Sequence, residues 1–188
     1  MSHPQKRVLG VDPGLTRCGI GVIQGSVGKP ITLIGVGVIL TSSDLPLARR
    51  LLQLETELEE WISTHQPDVI AIERVFSQQN LSSVMGTAQV AGVAIFLAHK
   101  YKIPMAMHTP TEVKAAVTGS GRAGKVQVGA MVAKLLGLDE VPKPADAADA
   151  LAIAICQGYR GSNSSASYTK AQQKWHSAVK SARGKSNR

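Results

Sequence analysis

Two apolar runs in this chain end in an acidic residue, and no other feature of the sequence constrains the fold as strongly. Residues 8–11 lead directly into Asp12, and residues 69–72 lead directly into Glu73. Short runs of Val, Ile, Leu and Ala are typical of buried strands, because a strand covered on both faces loses the alternation of a half-exposed one. If these strands belong to one sheet, each acid stands at the end of a rigid, buried element.

The order of the predicted elements indicates an α/β domain with a mixed sheet. Three strands come first and suggest an antiparallel meander, with a turn rich in Gly between the second and the third. Helical periodicity then alternates with single short strands, which favours helices packed on a mixed sheet. The predicted strands cover residues 7–12, 16–24, 31–40, 69–73 and 103–108, and the predicted helices cover 45–65, 82–101, 109–118, 125–138 and 145–159.

Basic charge is concentrated near the C-terminal end. The chain has 21 Lys and Arg residues against 13 Asp and Glu, a net charge of +8. Residues 160–188 hold seven of the basic residues and no acidic one, which leaves 14 basic and 13 acidic residues, a net charge of +1, in residues 1–159. We therefore expect one globular domain over 1–159 and a basic, disordered tail over 160–188. The distribution fits a nucleic-acid enzyme, and it fits equally a protein with a solvated terminus.

Membrane and secretory classes are disfavoured by the sequence. The longest uncharged apolar stretch, residues 90–98, is far shorter than the roughly 18 residues that suggest a membrane span. The first residues lack the hydrophobic region of a signal peptide. Cys18 and Cys156 are the only cysteines and have no metal-type spacing, so we expect two reduced thiols in a cytoplasmic protein.

A second acidic feature opens the last predicted helix. Asp146 and Asp149 are three residues apart among alanines, which places both on one helix face. The helix dipole favours acids in a first turn without any function, but one acid would suffice for that. Together with Asp12 and Glu73 they form a set of four carboxylates, whose hard oxygen atoms suit Mg²⁺. The set predicts a divalent-metal site for phosphoryl chemistry on a polyanion.

Basic residues around the Gly-rich stretch 119–124 are candidates for contact with a phosphate backbone. They are Lys114, Arg122 and Lys125. The stretch is similar to a nucleotide-binding loop, but a capped helix rather than a strand is predicted before it. Val126 also stands where such a loop needs a metal-binding hydroxyl. We therefore interpret the stretch as a DNA-contact loop.

The segment after Glu73 combines a cation, an aromatic ring and several amides. Arg74 is a candidate DNA contact. Phe76 is either a core residue or an aromatic side chain that stacks on a splayed base.

The order of these motifs resembles the RuvC family of Holliday-junction resolvases. The resemblance extends over residues 8–155 and is carried by Asp12-Pro-Gly, Ala-Ile-Glu73-Arg-Val-Phe76, Lys114, Lys125 and Ala-Asp146-Ala-Ala-Asp149-Ala-Leu-Ala. It implies a ribonuclease-H-like fold with a five-stranded mixed sheet flanked by helices. It also implies an endonuclease that resolves Holliday junctions by paired nicks in two strands of like polarity during recombination and DNA repair.

The resemblance further implies roles for individual residues. The catalytic, metal-binding acids are Asp12, Glu73, Asp146 and Asp149. The basic residues near the scissile phosphate are Lys114 and Lys125, and Phe76 stacks at the opened junction centre. The implied cofactor is Mg²⁺, with two ions per site and Mn²⁺ able to substitute. The implied partners are four-way junction DNA, a second copy of the chain, and the RuvA and RuvB branch-migration proteins.

Two other functions stay open on the sequence alone. The Asp12-Pro-Gly start also occurs in actin-like sugar kinases and ATPases, where it faces a nucleotide phosphate, although this chain is short for a two-lobed ATPase. A non-catalytic junction-binding module would differ only in lacking turnover. The predicted helix over 82–101 carries small residues on one face, which is either a dimer surface or a packing surface within one subunit.

Overall fold

A computed structural model describes residues 5–25, 30–74 and 81–160, with the backbone alone for 81–83. Over these residues the chain forms a sheet with helices on both faces. The strands are β1 (Lys6–Asp12), β2 (Arg17–Gly25), β3 (Thr32–Leu40), β4 (Val69–Glu73) and β5 (Met105–His108). The helices are α1 (Leu47–His65), α2 (Leu81–Lys100), α3 (Pro110–Thr118), α4 (Lys125–Leu136) and α5 (Ala145–Arg160).

The sheet has five strands in the order β3-β2-β1-β4-β5. The pairs β1–β2 and β2–β3 are antiparallel, whereas β1–β4 and β4–β5 are parallel. This is the predicted meander followed by single added strands. Val11 pairs with Ile72 in the parallel ladder, so the next residue of each strand, Asp12 and Glu73, lies at the same edge of the sheet.

Each face of the sheet has its own apolar core, because side chains alternate between the two faces along a strand. One core lies under α1 and α2 and includes Leu9, Val11, Ile70 and Ile72. The other lies under α3, α4 and α5 and includes Val8, Ala71 and the apolar side of α5. The helix α5 is buried from Ala150 to Gly158 and crosses the middle of the sheet against β1 and β2.

Glycines allow α5 to lie directly on the backbone of the sheet. A Cβ atom at Gly19 would lie 2.1 Å from the carbonyl oxygen of Asp146, and one at Gly10 would lie 2.2 Å from that of Ala150. No side chain fits such distances. The glycines in β1 and β2 therefore fix how closely, and at which height, the first turns of α5 approach the strand that ends in Asp12.

Helix ends follow local signals, with small differences from the predicted bounds. Thr109 and Glu112 form the predicted capping box at the start of α3, with Pro110 in the first turn. The helix α1 begins at Leu47, two residues later than predicted, because Pro46 takes the N-cap position. The helix α4 ends at Leu136 rather than 138, because Gly137 adopts a left-handed conformation with φ of 65°.

The small residues of α2 pack within the subunit. Ala91, Ala94 and Ala98 are buried in the core under α1 and α2, so the small-residue face is a packing surface of one subunit. The outer side of α2 instead exposes Met85 and Phe96, each 59% accessible. Among the helices that the structure describes, none has the length and apolar character needed to cross a membrane.

Candidate active site

Four acidic side chains converge where β1 and β4 end. Asp12 and Glu73 terminate neighbouring parallel strands. Asp146 and Asp149 lie in the first turns of α5, which Gly19 holds against the sheet beside Asp12. The antiparallel register also places Gly19 opposite Asp12. Acids from three separate parts of the sequence are thus gathered at one end of the sheet.

The acids are close enough to perturb each other's ionisation. Burial raises the pKa of Asp12 from 3.8 to about 7, and the charges of the other three acids add to the shift. Burial also raises the pKa of Glu73, followed by the charge of Asp149. Both shifts have the sign expected where like charges share a partly desolvated site. A bound cation would reverse this effect by stabilising the ionised forms.

Two of the acids are paired with cations of the protein. Lys125 Nζ donates to Asp149 Oδ2 at 3.1 Å, and the Lys125 side chain is 79% exposed. Arg17 Nη2 lies 2.5 Å from Asp146 Oδ2. That second contact lacks the angles of a hydrogen bond, so Asp146 Oδ2 is buried without any hydrogen-bond partner. The Arg17 contact is therefore electrostatic, and the oxygen retains its capacity to accept a bond.

The arrangement suits a divalent cation that is completed by its substrate. Over residues 5–25, 30–74 and 81–160, no three His, Cys, Asp or Glu side chains form a ready-made metal cage. Mg²⁺ does not need one, because proteins usually hold it with one or two carboxylates, water and substrate phosphates. Asp146 Oδ2, which receives no hydrogen bond, and the raised pKa of Asp12 both indicate carboxylates that can bind a further cation. The donor set is all oxygen, which fits a hard ion.

The predicted basic residues lie on the two short helices beside the acids and on the loop between them. Lys125 opens α4. Lys114 is half-buried on α3, and its charge opposes the upward shift in the pKa of Glu73. Arg122 is exposed on the α3–α4 loop. A capped helix precedes this loop, as predicted, so the loop lacks the strand that a nucleotide-binding motif requires.

Of the two candidate DNA-contact residues that follow β4, the structure describes only Arg74. Arg74 is exposed, and its backbone N–H donates to the carbonyl oxygen of His108 at 2.7 Å, which anchors the chain just beyond Glu73. Phe76 lies outside the described residues, so its predicted stacking role stays a prediction.

A buried arginine supports the loop between β1 and β2. Arg50 on α1 is 9% exposed, and it donates from Nε to Thr41 Oγ1 at 2.9 Å and from Nη2 to Thr16 Oγ1 at 2.8 Å. The Thr41 hydroxyl in turn donates to the carbonyl oxygen of Leu15. This network fixes the segment that joins Asp12 to Arg17.

Arg17 and Arg50 were not identified by sequence reasoning. Each contacts partners that are remote in sequence. A single basic residue near the start of a strand or helix does not indicate which residue it will contact. A hint existed for Arg17, since it follows the Asp12-Pro-Gly turn closely and must lie at the same end of the sheet.

Comparison with solved structures places this fold among the Holliday-junction resolvases. The structure of Thermus thermophilus RuvC in complex with Holliday junction substrate matches with a TM-score of 0.78 and 30% sequence identity, over 82% of this chain and 94% of that one. The family model described as crossover junction endodeoxyribonuclease RuvC matches residues 8–157. The chain belongs to the RuvC family of crossover junction endodeoxyribonucleases.

Curated relatives agree with this assignment. Crossover junction endodeoxyribonuclease RuvC of a Nocardioides species is 61% identical over 155 residues, which cover 82% of this chain and 88% of the relative. The protein of that name from Thermobifida fusca is 52% identical over 177 residues, which cover 94% and 97%.

The family, the ribonuclease-H-like fold class and the enzyme class predicted from sequence are therefore confirmed. Nucleases of this family depend on metal ions, and junction DNA is the substrate class that the assignment supports. The family match does not favour the actin-like alternative, since it spans nearly the whole described domain. The predicted domain end at residue 159 stays a prediction, and residues 161–188 lie outside the described part of the chain.

Proposed function

We propose that Asp12, Glu73, Asp146 and Asp149 are the catalytic, metal-binding acids of a junction-resolving nuclease. One observation carries the proposal: the ends of two parallel strands and the first turns of α5 bring these side chains together, with two of them raised in pKa by burial and mutual repulsion. A cluster that repels itself is destabilising unless it binds cations, so its presence in a folded domain supports a binding function.

The cofactor that we propose is Mg²⁺, with two ions per site and Mn²⁺ able to substitute. When bound, such ions supply an activated water as nucleophile and stabilise the leaving 3′ oxygen. Products with 5′-phosphate and 3′-hydroxyl ends follow from this chemistry. The chain's own task is to hold the ligand oxygens on stiff elements, and the sheet and α5 provide these.

Basic residues are proposed to bind and orient the DNA. Lys125 and Lys114 lie beside the acids, where an ammonium group can bind the scissile phosphate or a neighbouring one. Arg122 and Arg74 are exposed around them and are proposed to contact the backbone further out. Phe76 is proposed to stack on a base at the opened junction centre.

A two-fold homodimer is proposed because paired nicks require two sites, and a symmetric enzyme matches a roughly symmetric junction. The outer face of α2 supports this, since it exposes Met85, Ile95 and Phe96 around Gly92. Apolar side chains on one helix face are typical of an interface between subunits. The proposed dimer surface is therefore the outer side of α2, opposite the face whose small residues pack within the subunit.

The proposed cellular setting is the cytoplasm, with RuvA and RuvB as partners. Cys18 and Cys156 are both free and buried, which agrees with a reducing compartment. The assignment of RuvA and RuvB rests on the family resemblance alone. We propose that the basic residues of the segment 161–188 add non-specific affinity for DNA. The tail was predicted to begin at residue 160, but Arg160 is the last residue of α5, and residues 161–188 lie outside the described part of the chain.

A gel assay with a synthetic four-way junction and a linear duplex, each with Mg²⁺ and with EDTA, tests the proposed function. We expect the full chain to nick the junction symmetrically with Mg²⁺ only. Replacing Asp149 by Asn should abolish nicking and leave junction binding largely intact. A non-catalytic binding module would instead show metal-independent binding and no nicking in any variant.

The matched control is Asp139→Asn. Asp139 is exposed and lies beyond the far end of α4, so the same chemical change is made outside the site. This variant should nick at the wild-type rate. Equal loss of nicking and of junction binding in Asp149→Asn would count against the proposed role of that acid.

A further inference from the structure

We propose that Arg17 is a counter-ion built into the metal site: it holds Asp146 in the metal-free protein and exchanges that carboxylate for a DNA phosphate when metal binds. The inference rests on the proposed function of the acidic cluster and adds a residue that the family resemblance did not include. It makes metal binding and DNA binding depend on each other through one side chain.

The contact between Arg17 and Asp146 is close but incomplete. Their charged atoms are 2.5 Å apart, yet Asp146 Oδ2 is buried and receives no hydrogen bond. An arginine placed to hold a carboxylate permanently would normally use its fork for two aligned hydrogen bonds. Attraction without alignment indicates an interaction that a metal ion can replace with better geometry.

Lys125 provides the comparison within the same site. Its ammonium group makes a true hydrogen bond to Asp149 Oδ2 at 3.1 Å. Lys125 therefore satisfies the oxygen that it contacts, whereas Arg17 does not. Between them the two cations neutralise two of the four acids, and the remaining negative charge still attracts a divalent ion.

Arg17 is free to leave while its backbone stays in place. The side chain is 52% exposed and stands at the first position of β2. The backbone beside it is fixed, because Thr16 binds Arg50 through its hydroxyl and accepts the Thr41 N–H at its carbonyl oxygen. A long, exposed side chain on a fixed base can swing outward without disturbing the sheet.

A guanidinium released from Asp146 would stand at the exposed rim of the site, next to the acids that a DNA backbone has to reach. Guanidinium groups bind phosphate oxygens in pairs, and more strongly than they bind a misaligned carboxylate. DNA that takes up Arg17 would free Asp146 and thereby raise the affinity for metal. By linkage, metal would raise the affinity for DNA by the same factor.

Metal titration of the full chain without DNA tests the inference. The apparent affinity of EDTA-treated protein for Mg²⁺ and for Mn²⁺ is measured by the rise in melting temperature and by calorimetry. Removing the competing charge with Arg17→Gln should strengthen metal binding about two- to five-fold, the range expected for a partly exposed ion pair. Arg17→Lys keeps the charge and should stay close to wild type.

The second arm repeats the titration with a junction whose cleavage is blocked by non-hydrolysable linkages at the scissile positions. DNA should increase the affinity for metal in the wild type. In Arg17→Gln this increase should be smaller by about the same two- to five-fold. The matched control is Arg160→Gln, which removes an arginine paired with Glu112 at 3.1 Å on the far end of α5. It should leave both titrations unchanged.

The outcomes separate the two proposals. If Asp146→Asn leaves metal affinity unchanged, the proposed metal site itself is wrong. If Asp146→Asn weakens metal binding but Arg17→Gln leaves it unchanged or weakens it as well, the metal site stands and the counter-ion role of Arg17 is wrong. A merely structural role would lower the melting temperature of Arg17→Gln in EDTA without strengthening metal binding.

Discussion

The two faces of strand β1 serve different purposes, although they alternate residue by residue. Toward α1 and α2 the strand presents Leu9 and Val11, both fully buried in an apolar core. Toward α5 it presents Val8, then Gly10, then Asp12, which is a gradient from core to bare backbone to charge. The face toward α5 therefore has little side-chain packing near Asp12. The face toward α1 and α2 buries apolar side chains and stabilises the domain there.

The position of the acids thus depends on the close contact between the backbone of the sheet and α5. The stability of the domain depends on side-chain packing under α1 and α2. Substitutions on the two faces should consequently separate activity from stability.

Replacing Asp12 by Asn should reduce nicking about 10³-fold, which corresponds to about 4 kcal/mol of transition-state stabilisation. The amide keeps the shape of the side chain and removes the charge that would bind metal. Single-turnover cleavage of a labelled junction at saturating protein measures the effect. Activity within ten-fold of wild type would show that the acid at the end of β1 is dispensable.

Replacing Leu54 by Ala should lower the free energy of unfolding by about 2–5 kcal/mol, because a fully buried leucine leaves a cavity under α1. Urea denaturation measures the loss, and nicking per folded molecule should stay near the wild-type value. Leu52→Ala on the same helix is the control, since Leu52 is 61% exposed. A matching loss of specific activity would mean that the two faces are not separable.

Replacing Gly19 by Ala should cost about 2–3 kcal/mol of stability and, unlike Leu54→Ala, should also reduce nicking well beyond the loss of folded protein. The added methyl group collides with the Asp146 carbonyl and pushes the first turn of α5 away from Asp12. Leu54→Ala is the control for lost stability alone, because Leu54 packs on the opposite face of the sheet from α5. Unchanged activity in folded Gly19→Ala protein would contradict the positioning role of this close approach.

The pH dependence of stability should reveal Asp12 in metal-free protein. Its pKa is about 7 when folded and 3.8 as the ordinary value, so the folded state keeps a proton that the unfolded state has lost. The stabilising contribution is therefore complete below about pH 4, decreases as the pH rises toward 7 and is absent above it. In EDTA at pH 8, Asp12→Asn should be more stable than wild type by about 1–2 kcal/mol, with little difference at pH 4. This is less than the roughly 4 kcal/mol that the whole shift corresponds to, because Asp12 is partly exposed and solvent screens its charge.

Adding saturating Mg²⁺ at pH 8 provides the control for that comparison. Cation binding should stabilise the wild type and remove or reverse the advantage of Asp12→Asn. Denaturation curves at both pH values, with and without metal, measure the effect. An advantage that is independent of pH would assign it to packing rather than to ionisation.

Local signals in the sequence were sufficient for most elements. The strand Val69–Glu73 has the predicted bounds, and Thr109 with Glu112 fixes the start of α3 through a capping box. The gathering of the acids was also predictable, because two apolar runs end in acids and motif order matched a known family. These inferences need only neighbours in the sequence or an ordered set of motifs.

Contacts between remote residues were not predictable in the same way. Arg17 meets a carboxylate 129 positions away, and nothing near it in the sequence selects that partner. The role of Gly19 depends on which helix turn lies over it. The sequence also left the role of the alanine face of α2 open, because alanines that suit a close dimer suit a close intramolecular contact equally well, and only the structure shows that this face packs within the subunit.

The pairing of Val11 with Ile72 has a consequence for how the site responds to heat. Neighbouring strands keep a spacing of about 4.8 Å that peptide hydrogen bonds impose, so the gap between the ligand-bearing ends of β1 and β4 cannot widen gradually. The geometry should persist until these strands separate, and amide protons of β1 should exchange with solvent only in molecules that have lost the ability to load an ion.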